Sequence, residues 1–202
     1  MLFDDVFFHA SLLYSSFFLF FLPLFGCKVT TSCTKPDGIV TVSKIVHRGP
    51  LATTYAYVGA LFLFNILYCQ NEKTKERNVF KFMLAFAAAK CLSVPLVLPL
   101  DSVESNSYHD VFFLIGGVLE CLFQLVIVAE NIHAQKIEVS SKRRSAFRWY
   151  VFLTFVMLLS VVVGSVFAWS TSSVWAYTTL LMEYFFGIAL VGSTFIQHKN
   201  VF

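Results

Sequence analysis

The chain has 202 residues, of which 57% are hydrophobic and 13% charged, and a formal net charge of +3. A soluble domain carries roughly a quarter charged residues, so this composition excludes a water-soluble globular protein and points to an integral membrane protein. The basic clusters sit beside apolar stretches, and no nucleic-acid motif occurs, so a nucleic-acid partner is not expected.

A hydrocarbon core about 30 Å thick is crossed by roughly 20 apolar helical residues. Six segments satisfy this, at about 6–25, 51–69, 79–100, 111–131, 149–169 and 174–196. The expected fold is therefore all-α: a polytopic six-transmembrane-helix bundle forming a single membrane domain over 1–202. The first segment begins with Asp4 and Asp5 in place of a basic stretch, and its apolar run is long for a signal peptide, so it reads as a retained helix. The 26–50 loop follows, with Cys27 and Cys33 as a disulfide candidate if the loop is luminal. Its KPDG at 35–38 is a turn signature, and the alternating IVTVSKIV that follows suits a short strand or a membrane-surface segment.

The connections set the orientation. NEKTKER, between spans two and three, carries Lys73, Lys75 and Arg77; the loop between spans four and five carries Lys136, Lys142, Arg143, Arg144 and Arg148. DSVESNSYHD and STSS, after spans three and five, contain neither Lys nor Arg. Cytosolic loops are enriched in Lys and Arg, which puts both termini in the cytosol and the 26–50 loop in the lumen. The four basic residues of that longer loop weigh mildly the other way.

Three ionisable residues, Lys90, Glu120 and Glu183, fall near the middle of apolar runs. A charge at the bilayer centre costs at least ~2.5–3.5 kcal/mol, so such residues usually face protein or water. Each stands nine residues from the luminal end of its run, counted from Pro99, Val111 and Val174. At 1.5 Å per residue this places them in one layer ~13–14 Å from the luminal edge. One reading is a structural ion pair with a protonated second acid; the other is an acid/base site. Gly116, Glu120 and Gln124 share a helix face, with His109 at the luminal mouth above them. Pro95 and Pro99 are positioned to disturb the helix just above Lys90. No cysteine or histidine spacing suggests a zinc site, and no cofactor is expected.

WAYTTLLMEYFFGIALVGSTFIQHKN at 175–200, YHDVFFLIGGVLECLF at 108–123, and the basic loop leading through Arg148 and Trp149 share an order of features with a known group. The chain resembles the six-span Frag/DRAM/Sfk superfamily, and within it the post-GPI-attachment-to-proteins factor two group. Tyr177, Thr178, Glu183 and Tyr184 fall on the pattern of that group's final helix. HRGPLATTY, at 47–55, departs from the segment typical of the superfamily's autophagy branch. The resemblance implies GPI-anchor lipid remodelling in the Golgi, with reacylation of a lyso-GPI intermediate. It further implies a membrane lipid or GPI-anchored substrate, an acyl donor, and room for a membrane-protein partner. His109 is not followed by the Asp of the common HxxxxD acyltransferase pattern. If the chain is an enzyme, the candidates are Glu183 or His109 to activate a hydroxyl, Lys90 to stabilise negative charge, and Glu120 beside them. The alternative is a non-enzymatic lipid-binding, trafficking or autophagy-related membrane scaffold, with the endoplasmic reticulum or lysosome as other compartments. A small transporter ranks last, because no inverted repeat or broken-helix pair is visible.

Overall fold

Long apolar runs leave their backbone polar groups no partner but the chain itself, and inside a bilayer only helices and closed barrels satisfy them all. The computed structural model describes residues 9–15, 17, 58–61, 63–64, 66, 79–97, 103–134, 140–167 and 173–198. Among these the regular structure is helical throughout, with no strand. Two short pieces come first, α1 at 9–15 and α2 at 58–61, 63–64 and 66. Four long helices follow: α3 (Val79–Val97), α4 (Val103–Ala134), α5 (Ser141–Phe167) and α6 (Ser173–His198). Two stretches, Ser107–Ile132 and Ser141–Val166, are long and apolar enough to cross a membrane; Leu181–Gln197 is a shorter apolar helix. The Cys27–Cys33 pair, the turn at 35–38 and the strand-like stretch at 39–46 lie outside the described residues, as does Pro99.

Side-chain contacts fix the directions of the long helices. Gly116 packs on Leu92, and Lys81 pairs with Glu130, so α3 and α4 are antiparallel. Gly117 meets Val161 while Gln124 meets Tyr150, which makes α4 and α5 antiparallel. Leu153 lies against Gly192, and Met182 against Gly164, giving the same relation for α5 and α6. The four helices therefore alternate in direction, and α4 and α6 run parallel. Their register follows from Phe186, whose ring sits edge-on to Phe113 at 5.7 Å and beside Gly117.

The start of α5 is set locally. Ser140 accepts a hydrogen bond from the Arg143 amide on its Oγ (3.4 Å) and another from the Arg144 amide on its carbonyl (3.1 Å), the work of an N-cap. Two buried threonine hydroxyls bond to their own helix backbone: Thr154 donates to the Tyr150 carbonyl at 2.9 Å and Thr194 to the Leu190 carbonyl at 2.7 Å. Pro95 is accommodated within α3, which stays helical to Val97.

The main core draws on all six elements: Leu12 from α1, Val58, Leu63 and Ile66 from α2, Leu92 from α3, Cys121 from α4, Met157 and Val161 from α5, and Phe186, Ala189 and Leu190 from α6. A second cluster of Leu84, Ala85, Phe123, Ile127 and Tyr150 joins α3, α4 and α5. Gly116 makes the tightest approach. A Cβ built there would stand 2.7 Å from Leu92 Cγ and 2.9 Å from the Leu92 amide nitrogen, so only glycine fits.

Candidate functional site

Residues of α4, α5 and α6, at the end of the bundle where α4 and α6 begin, line a cleft with about 680 Å³ of space, part of it open to the outside. His109, Asp110, Phe113 and Leu114 of α4 form one wall, Ser160, Val161, Gly164 and Ser165 of α5 a second, and Met182, Glu183 and Phe186 of α6 the third. The lining mixes polar groups, His109, Asp110, Glu183 and the two serines, with apolar side chains.

His109 is buried, and its Nδ1 lies 3.0 Å from Asp110 Oδ1, with the Asp110 side chain half exposed. An Nδ1–H donated to that carboxylate makes Nε2 the ring's acceptor. The same His–carboxylate geometry serves elsewhere to orient a general base. Neither serine completes it as a nucleophile, because Ser160 donates to the Val156 carbonyl at 2.7 Å and Ser165 to the Val162 carbonyl at 2.9 Å. Among the described lining residues there is no other hydroxyl. Among the described residues no group of three His, Cys, Asp or Glu side chains is placed to hold a metal ion.

The four sequence-derived candidates do not form one cluster. Glu183 and His109 share the cleft. Glu120 is 2% exposed and lies elsewhere, accepting a hydrogen bond from Gln124 Nε2 at 2.6 Å. Lys90 is on the exposed surface of α3. The expected common depth holds for Lys90, level with Val118, and Glu120 to within about 3 Å, but not for Glu183, and the reason is register. Phe186 is level with Gly117, so Glu183 is level with Leu114, and Glu120 with Ala189. Six residues, roughly 9 Å of helix, separate the two acids along the bundle. Counting from the ends of the apolar runs failed because α4 starts at Val103, well before the run begins at Val111, whereas α6 starts at Ser173, almost where its run does.

Glu120 belongs to a second polar group. Gln124 Oε1 accepts from the Tyr150 hydroxyl and from Gln197 Nε2, the latter at 2.9 Å, and Gln197 Nε2 also reaches the Tyr150 oxygen. All four side chains are buried, and the group ties α4, α5 and α6 together beyond the floor of the cleft. Nearer the same end, Lys81 of α3 pairs with Glu130 of α4. Tyr150 and Gln197 were not singled out from the sequence, because polar and aromatic residues near the end of an apolar run are ordinary membrane-interface features. Ser160 and Ser165 were missed for a similar reason: a serine in a membrane helix usually bonds its own backbone, as these do. Cys91 and Cys121 are free thiols, half-buried and buried respectively.

Comparison with known proteins finds no matching family model, curated protein or solved structure.

Proposed function

We propose that this chain is an integral membrane protein of the secretory pathway, with the Golgi as its compartment, that takes a lipid into the α4–α5–α6 cleft and reacylates a lyso-GPI intermediate. One observation carries the lipid reading: His109, Asp110 and Glu183 line a cleft whose remaining walls include Phe113, Leu114, Val161, Met182 and Phe186. A cleft with both polar and apolar walls suits a molecule with a headgroup and a hydrocarbon chain. The GPI assignment rests on the likeness of 108–123 and 175–200 to the factor-two group.

In this reading the lysolipid's free hydroxyl lies against His109 Nε2, with Asp110 steadying the ring. The hydroxyl gives its proton to His109 as its oxygen bonds to the acyl carbonyl carbon of a donor. The bond from that carbon to the donor's leaving group breaks, and the proton passes to the leaving group. Glu183, on the α6 wall, accepts hydrogen bonds from headgroup hydroxyls and positions them. Lys90 and Glu120 take no part.

The test is His109→Gln and Glu183→Gln, each expressed in cells lacking the wild-type protein, with GPI acyl composition read by mass spectrometry. Loss of a general base predicts at least a roughly hundredfold fall in reacylation for His109→Gln. Normal remodelling by both variants at normal abundance would sink the catalytic reading. The second reading, a non-enzymatic lipid-binding or trafficking scaffold, is favoured by the buried Glu120–Gln124–Tyr150–Gln197 group, which lies outside the cleft and joins three helices. It predicts unaltered remodelling rates with reduced association with membrane partners.

A further inference from the structure

Lys90 is an exposed cation on a helix that packs along a membrane-length neighbour. Its depth can be read from that neighbour. It stands two residues before Leu92, which abuts Gly116, and so is level with Val118 of the antiparallel α4. Val118 is close to the centre of the Ser107–Ile132 span, roughly 16 Å from one end and 21 Å from the other. Helical side chains slant toward their own N-terminus, which for α3 is the more distant end, Val79. A four-carbon stem does not cover that distance, so snorkelling to the surface does not relieve the charge. Among the described residues no carboxylate lies within ion-pair distance of the Lys90 ammonium, while Lys81, one face round and nearer the end, has Glu130.

The surroundings of Lys90 form a seam. Val79, Met83, Phe86 and Lys90 are all exposed and recur at alternating steps of four and three, the spacing by which one helix lies along another. Beside the seam, Ala87 and Ala89 are small enough to let a backbone approach. An anionic lipid cannot answer the charge, since its headgroup stays at the membrane surface. A second copy of this chain meeting α3 to α3 would set Lys90 against Lys90 at equal depth.

We propose that the Val79–Met83–Phe86–Lys90 face of α3 docks a transmembrane helix of another protein that carries a carboxylate at mid-membrane depth. The inference rests on the membrane reading of the chain and not on the chemistry of the cleft.

The full chain, labelled with a donor fluorophore and reconstituted in phosphatidylcholine vesicles, is titrated with acceptor-labelled model helices of about 20 Leu and Ala residues. One helix bears a single central Glu, a second a central Leu, a third a central Lys. The expected result is energy transfer to the Glu helix that falls about tenfold in affinity for Lys90→Leu. Lys90→Arg retains it, and Lys90→Glu shifts the preference to the Lys helix. Lys90→Leu replaces an exposed cation with an apolar group, so its folding is not at risk, and the charge-swapped pair guards the result independently. His109→Gln leaves the transfer unchanged, which separates this surface from the cleft. Equal transfer to the Glu and Leu helices, or none lost in Lys90→Leu, overturns the proposal, as does transfer between two differently labelled copies of the chain that Lys90→Leu abolishes. Extraction of the chain from vesicles by alkaline carbonate would instead bring down the membrane reading on which it stands.

Discussion

Tyr150 has a hydroxyl that donates to Gln124 Oε1 and accepts from Gln197 Nε2, all within the buried part of the bundle. Tyr150→Phe removes both bonds without changing the ring's packing against Phe123 and Leu84. Gln197 Oε1 has no hydrogen-bond partner among the described residues even in the wild type, so the group has little slack. A loss of about 1–2 kcal/mol follows, and thermal unfolding in detergent micelles measures it. Glu120→Gln keeps an oxygen for Gln124 to donate to and so costs less than Tyr150→Phe in the same assay. Of these residues only Glu120 and Gln124 were legible in the sequence, because an acid in mid-run stands out and a tyrosine at the end of one does not. The pairing of His109 with Glu183 in one cleft was legible as residue types but not as a contact. Depth along a helix can be counted, but rotation about it cannot, and rotation is what turned Lys90 outward and Lys81 inward.

At the scale of elements, glycines decide how near the helices come. Gly116→Ala forces a Cβ against the Leu92 backbone, which cannot move without shifting α3. It should cost about 1–3 kcal/mol by the same unfolding measurement. Gly164 provides the contrast, since a Cβ there meets Met182 Cβ at an ordinary 3.5 Å. Gly164→Ala should be neutral or stabilising by up to about 1 kcal/mol, through the lower backbone entropy cost of alanine in a helix. A substitution series in which Gly116→Ala is the milder of the two would contradict the close α3–α4 packing. Helix existence was readable from apolar runs at all four long helices. The extension of α4 back to Val103 was not, because hydropathy marks the edge of an apolar run and says nothing of a polar turn that continues the helix.

For the whole molecule, the loop charges predict that both termini face the cytosol. An epitope tag at either end should be removed by protease added to intact microsomes, and protection of one tag would reverse the orientation. In that orientation the cleft opens to the lumen, and the Lys81–Glu130 pair with the Gln124–Tyr150–Gln197 group lies toward the basic, cytosolic side. The alternating helix directions were implied by the loop pattern, whereas the division into a cleft at one end and a buried polar group toward the other arose from packing alone.

Phe186 gives that division a sharper meaning. Its ring lines the cleft beside Gly117, one turn past Glu183, and the buried amides and tyrosine lie further along the bundle. Phe186 is thus the side chain that a ligand in the cleft would meet before the buried Gln124–Tyr150–Gln197 group, and its size sets how far in that ligand can reach.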